Sequence, residues 1–249
     1  MTDGTETDHE EMNTIPFGAR ARALAHVFAG MLLVITCLGL AYCSGCAGVV
    51  AVHDTTALSP RGEYDAAVAI VAACPFGDGT AQTLGPVGSG VVIAERAALT
   101  ALHVVAGAAT GCVYFAVDRN DQAHAMTVDV TLPDRDIARL VPVAEDPGFR
   151  AGKDVGFYPR WGKTPELRTV VCIASAVPAP ESRCGLTQRA EAGQIRHDAI
   201  TQPGNSGSGL YNRAGELVGI VTTLRTIFNG QVAGGGATAL EGLEWLAPQ

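Results

Sequence analysis

The chain has 249 residues, enough for one or two domains with a substantial core. Aromatics are only 6% while glycines number 30, which favours many short strands and tight turns over long helices. The net charge is −8 and no basic run occurs, which excludes nucleic acid as a partner.

Residues 1–22 are polar and acidic, end in Arg20 and Arg22, and read as a disordered tail. Residues 23–52 contain no Asp, Glu, Lys or Arg. A bilayer-spanning helix needs about 20 apolar residues, so this stretch reads as a transmembrane anchor or a signal segment. The preceding arginines keep the N-terminus cytoplasmic, so the residues beyond the segment are exported. The expected location is therefore extracytoplasmic, with the periplasm as the working assignment. A lipoprotein site is an open alternative. "LAYC" (40–43) has a bulky Tyr42 where a small residue belongs, and "CSGC" (43–46) lacks the leading Leu. Residues 53–64, with Ser59, Pro60, Arg61 and Gly62, form a linker.

After the linker, short apolar runs alternate with Gly, Pro and Asp. Strands are predicted over 66–74, 88–94, 97–102, 112–117, 125–132 and 136–142. "HVVAGAA" after the third opens a helical turn. A second series covers 167–176, 184–192, 194–200, 208–212, 216–224 and 231–240, and "EGLEWL" (241–246) closes with a short helix. Many short strands punctuated by turns indicate an all-β sandwich or barrel. Two sets of about six, over 65–145 and 160–240, suggest two barrels. No internal sequence repeat is visible.

"TQPGNSGSGL" (201–210) is either an ordinary Gly/Ser turn or a nucleophile loop around Ser206. A serine needs a base to take its proton, and His is the usual one. Of six histidines, His9 lies in the tail, His26 in the apolar segment, His53 at the linker and His124 in a polar loop. His197 lies on a strand. His103 stands where a strand ends and a helical turn begins, a rigid platform. An imidazole in turn needs a carboxylate to fix its tautomer. "DRDIARL" (134–140) offers Asp134, in the Pro133 turn, and Asp136, directly before an apolar strand; the second is better anchored. Gly204 and Gly207 permit a tight turn whose backbone N–H groups point one way, as an oxyanion requires. Cys37, Cys43 and Cys46 fall in the apolar segment, whereas Cys74, Cys112, Cys172 and Cys184 fall beyond it. Export permits disulfides, four cysteines allow three pairings, and four buried thiols are the alternative. No C-x-x-C spacing occurs beyond the linker, so no metal is expected, nor any cofactor.

"TALH", "DIARL" and "GNSGSGL", in that order, resemble the chymotrypsin-like serine peptidases. The nearer likeness is to bacterial HtrA/Deg-type and glutamyl-endopeptidase-like members, and it covers residues 65 to 246. The resemblance implies two six-stranded antiparallel Greek-key barrels within 65–249, without the PDZ domain of HtrA members. It implies His103 as general base, Asp136 as its orienter, Ser206 as nucleophile and the amides of Gly204 and Ser206 as the oxyanion hole. Substrates would be proteins or peptides. Ile200 and Thr201 would sit at the base of the primary pocket, with Thr223 and glycines 234–236 on its walls, which suits small or medium apolar side chains. Cys172 and Cys184 would cross a hairpin, and Cys74 and Cys112 would join neighbouring strands of the first barrel. Asn205 stands where digestive members carry an Asp that pairs with a newly cleaved N-terminus, so no such activation is expected. Leu102 stands where small residues are usual. A catalytically silent binding module on the same double barrel is the alternative function.

Overall fold

Runs such as "AALTA" and "IARLVP" are too short for stable helices, and Gly, Pro and charged pairs bound them, so they pair laterally instead. The structure is a computed structural model that describes residues 66–75, 81–106, 112–191, 193–226 and 232–247. The expected tail (1–22), membrane segment (23–52) and linker (53–64) lie outside the described residues. Among the described residues, no helix is long and apolar enough to cross a membrane.

The first barrel comprises β1 (Ala67–Pro75), β2 (Ala81–Ala94), β3 (Ala97–Ala101), β4 (Val113–Val117), β5 (Ala123–Leu132) and β6 (Ile137–Pro142). A short helix α1 (Leu102–Ala106) follows β3. The second comprises β7 (Val170–Ser175), β8 (Glu181–Glu191), β9 (Gln194–His197), β10 (Gly209–Asn212), β11 (Leu217–Thr226) and β12 (Val232–Ala239). Every strand pairing is antiparallel. The closed orders are β1-β2-β3-β6-β5-β4 and β7-β8-β9-β12-β11-β10, so both barrels share one connectivity despite the absence of a sequence repeat.

Among the described residues, three apolar clusters form the core. One, with Ile70, Leu140 and Phe149, fills the first barrel, and another, with Ile173, Ile195 and Val221, fills the second. The third lies between them, joining Val91, Leu99 and Ile137 to Tyr211, Ile220 and Leu246. Hydrogen bonds reinforce this seam. Thr238 Oγ1 donates to Arg135 O (2.6 Å), and Arg139 Nη1 donates to Leu246 O (3.0 Å).

Three local expectations need correction. β2 begins at Ala81 rather than residue 88: Gly85 and Pro86 are absorbed by register shifts opposite Val71, with Gly85 at φ +82°. The terminal helix shrinks to a single 3-10 turn, Glu244–Leu246, whose Leu246 is buried in the seam. His124 is not in a polar loop but buried on β5. Its Nδ1 lies 3.0 Å from Asp146 Oδ1, its Nε2 3.7 Å from Asp118 Oδ2, and its ring packs at a tilt against Phe149, with centroids 4.4 Å apart. The strand's alternation, not local polarity, decides which way His124 faces.

Both expected disulfides are present. Cys172 and Cys184 are direct partners across the β7–β8 hairpin. Cys74–Cys112 continues the β1–β4 ladder just beyond the Ala73–Val113 pair. Their sequence separations are 38 for Cys74–Cys112 and 12 for Cys172–Cys184. Loop-closure entropy then gives about 4 kcal/mol for the first bridge and about 3 kcal/mol for the second. A Cys74→Ala/Cys112→Ala variant should therefore lower the denaturant midpoint more than Cys172→Ala/Cys184→Ala, as guanidinium unfolding followed by circular dichroism will report.

Candidate active site at the barrel seam

The β3–β6 ladder, with Ala101 opposite Ile137, brings the first turn of α1 beside the residue that enters β6. That residue is Asp136, in the left-handed region at φ 52°, a conformation that Asp tolerates better than most residues. Its backbone carbonyl accepts from Leu102 N–H (3.0 Å). Its Oδ1 accepts from His103 N–H (2.9 Å), and its Oδ2 lies 2.7 Å from His103 Nδ1. The carboxylate thus grips both the backbone and the ring of one histidine. With Nδ1–H directed to Asp136, Nε2 is left as the basic nitrogen. The His103 side chain is 47% exposed and that of Asp136 33%, so the imidazole is reachable while its partner is sheltered. Asp134 is exposed on the preceding 3-10 turn. Leu102 packs against the core of the first barrel.

The Ser206 loop is two consecutive turns. Asn205 N–H donates to Gln202 O (3.0 Å), and Ser208 N–H donates to Asn205 O (3.0 Å). Gly204 (φ +97°) and Gly207 (φ +87°) each hold the third position, where such a turn requires positive φ. Gly207 is required twice over, because a Cβ there would lie 2.0 Å from Ser89 O and 2.2 Å from Thr100 Oγ1. That close approach lets the loop lie against β2 and β3 of the first barrel. Ser89 N–H donates to Ser206 O (2.8 Å), and Gly207 N–H donates to Val221 O (2.7 Å). Among the described residues, the amides of Gly204 and Ser206 donate to no partner, and the Ser206 hydroxyl makes no hydrogen bond, to His103 or otherwise.

Sequence reasoning missed the support beneath this loop. Asn205 is buried; its Oδ1 accepts from Gln202 N–H (2.8 Å), and its Nδ2 donates to Ser175 Oγ (2.9 Å) and Val177 O (3.2 Å). Ser175 Oγ lies 3.0 Å from Ser89 Oγ, which donates to Gly204 O (2.8 Å). The available signal was Ser89 itself, a hydroxyl between two glycines inside a buried strand.

Two of the three proposed pocket residues come together against neighbouring glycines of β12. Thr201 is buried beside Gly235, where its Oγ1 would lie 2.3 Å from an added Cβ, and Thr223 Oγ1 stands against Gly236. Ile200, in contrast, is 55% exposed and closes no floor. His197, paired with Gly235 across β9–β12, is fully buried. Neither of its ring nitrogens makes a hydrogen bond of normal geometry among the described residues. Burial pushes the imidazole down to about 4, against a weaker opposing pull from the Ala199 backbone.

A carboxylate-gripped histidine and a glycine-turned serine, held on opposite sides of a double-barrel seam, define the trypsin-like class. The trypsin-like peptidase domain matches residues 88–220, just over half of the 249-residue chain, and the chain belongs to that family. No curated protein matches the sequence significantly. Among solved structures, the chain is similar to the HtrA-type protease AlgW with a decapeptide: TM-score 0.55, 21% identity, covering 74% of this chain and 63% of that one. It is similar to AlgW with a tripeptide at TM-score 0.53 and 23% identity, covering 72% and 57%. The MamO protease domain from Magnetospirillum magneticum, in its apo form, matches at TM-score 0.54 and 21% identity, covering 74% of this chain and 97% of that domain. The chain spans less than two thirds of the length of the AlgW chains, and at these identities the likeness is one of fold.

Because the His197 imidazole is neutral in the folded state, its contribution is complete above about pH 6.5 and is lost as the pH falls towards 4. Relative to His197→Leu, the protein should lose about 3 kcal/mol of stability over that window, measured by urea unfolding at each pH. Parallel pH profiles of the two proteins would contradict this.

Proposed function

We propose that the chain is a serine endopeptidase that hydrolyses peptide bonds through an acyl-enzyme outside the cytoplasmic membrane. The observation that carries this is the paired grip of Asp136 on His103, 2.7 Å at the ring and 2.9 Å at the backbone, beside a loop that offers Ser206. His103 Nε2 takes the Ser206 proton as Oγ attacks the scissile carbonyl. Asp136 holds the imidazole in the required tautomer and stabilises the imidazolium, which then protonates the leaving amine. The amides of Gly204 and Ser206 receive the developing oxyanion, a contribution of about 3 kcal/mol per donor. Water, activated by His103, releases the acyl group.

Proteins and peptides are the substrate class, a reading supported by family membership and by AlgW, an HtrA-type protease with peptides bound. The exported location rests on the uncharged segment 23–52 behind Arg20 and Arg22, and two disulfides suit an oxidising compartment. One observation favours the silent binding module instead: the Ser206 hydroxyl makes no bond to His103. Catalytic hydrogen bonds in unliganded enzymes are often long and tighten with substrate, so activation is the deciding question.

The test is hydrolysis of casein and of a p-nitrophenyl ester by the detergent-solubilised full chain. Ser206→Ala and His103→Ala should each lower kcat by at least about 1,000-fold. Asp136→Asn, which keeps the shape but supplies the wrong tautomer, should cost about 10,000-fold. Wild-type protein without hydrolytic activity above these variants would establish the binding-module reading.

A further inference from the structure

We infer that Ser89, from the first barrel, is a positioning residue that sets the oxyanion hole of the second barrel through a buried hydroxyl relay. This inference rests on the peptidase reading above.

The relay can be followed proton by proton. Asn205 Nδ2 donates to Ser175 Oγ (2.9 Å), which lies 3.0 Å from Ser89 Oγ, which donates to Gly204 O (2.8 Å). Each serine has one proton to give. Among the described residues, the Ser89 hydroxyl is the single donor to Gly204 O, so its proton is committed there. The single Ser175 proton faces both Val177 O (2.8 Å) and Ser89 Oγ (3.0 Å), and Val177 O also receives Asn205 Nδ2 (3.2 Å). The lone pairs of Ser89 also face the amides of Val177 (3.2 Å) and Ala176 (3.3 Å). Serines 89 and 175 and Asn205 are all buried, so water does not replace a missing partner cheaply.

Gly204 is the residue on which the hole depends. It is the third residue of the 202–205 turn, with φ +97°. Rotating the central Pro203–Gly204 peptide gives the common alternative turn, in which that φ is about −90°. The rotation reverses the direction of the Gly204 N–H and removes one donor from the oxyanion. Among the described residues, no hydrogen bond holds the Gly204 N–H in place. The flip is opposed from the other side of Gly204: its carbonyl is held by Ser89, and its Cα lies against Val177, whose Cγ1 would stand 2.7 Å from an added Cβ.

Ser89 also donates its own amide to Ser206 O (2.8 Å). One residue of β2 therefore brackets the loop, holding Gly204 by side chain and Ser206 by backbone. The oxyanion hole forms only when the two barrels dock, and no cleaved N-terminus is required to order it.

The experiment compares the wild-type full chain with Ser89→Ala and Ser175→Ala. Three quantities are read: the second-order rate of labelling by a fluorophosphonate, kcat and KM on a p-nitrophenyl ester, and the downfield proton resonance of His103 Nδ1–H. Ser89→Ala should label about 100-fold more slowly and lose kcat with little change in KM, as for a lost oxyanion donor. It should keep the His103 resonance and a single cooperative melt, lowered by the bonds left unmade, whereas a general loosening of the fold would lose both. Ser175→Ala, which cuts the relay but leaves Ser89 in place, should label about 10-fold more slowly. A wild type that does not label overturns the peptidase reading and this inference with it. A reactive wild type matched by an equally reactive Ser89→Ala overturns this inference alone. If Ser89→Ala loses its fold or the His103 resonance, Ser175→Ala decides, and labelling at the wild-type rate overturns the inference.

Discussion

The packing of the Ser206 loop onto the first barrel is the constraint on which the rest of the site depends. His103 and Asp136 belong to one barrel, and Ser206 to the other. Their meeting requires a seam tight enough that Gly207 has no room for a methyl group against Ser89 O and Thr100 Oγ1. The Ser89 amide closes this contact on Ser206 O, and an apolar cluster joins residues of both barrels. Neither barrel alone contains a site. The proposed catalytic geometry is a property of the docking, and the burial of residues such as Leu99, Tyr211 and Ile220 drives that docking.

The seam also divides the work between rigid and adjustable parts. Asp136 binds His103 at two atoms and Leu102 at a third, so the proposed base is fixed by three hydrogen bonds to one residue. The Ser206 hydroxyl and the amides of Gly204 and Ser206 are left unbonded among the described residues, as the proposed oxyanion hole requires. A neutral, buried Asn205 replaces a charge that would need a counter-ion, and its amide is spent on Ser175, Val177 and Gln202. Burying a neutral, fully bonded group avoids the desolvation that an unpaired carboxylate would suffer.

Much of this was legible in the chain. Each of the twelve strands among the described residues begins or ends near a Gly, Pro or charged turn, and their apolar runs are too short for other uses. Asp136 could be preferred over Asp134 because an apolar strand comes directly after it and anchors its backbone. The hidden features depended on register between distant elements. Ser89 and Ser175 meet across a separation of 86 residues, which no local pattern encodes. β2 runs through Gly85 and Pro86 because β2 itself bulges there, carrying extra residues opposite Ile70–Ala73 of β1. The burial of His124 stems from strand alternation and from Asp118 and Asp146 on either side of it, not from its polar neighbours in sequence. The exposure of Ile200 likewise depends on how the segment between β9 and the nucleophile loop leaves the sheet.

The most direct measurement is a crystal structure of the full chain after reaction with a small fluorophosphonate. The account predicts one covalent bond, from Ser206 Oγ to phosphorus, with the phosphonyl oxygen accepting from the amides of Gly204 and Ser206 and His103 still held by Asp136. An unmodified Ser206, or an adduct whose oxygen points to solvent while the Gly204 amide faces away, would contradict it.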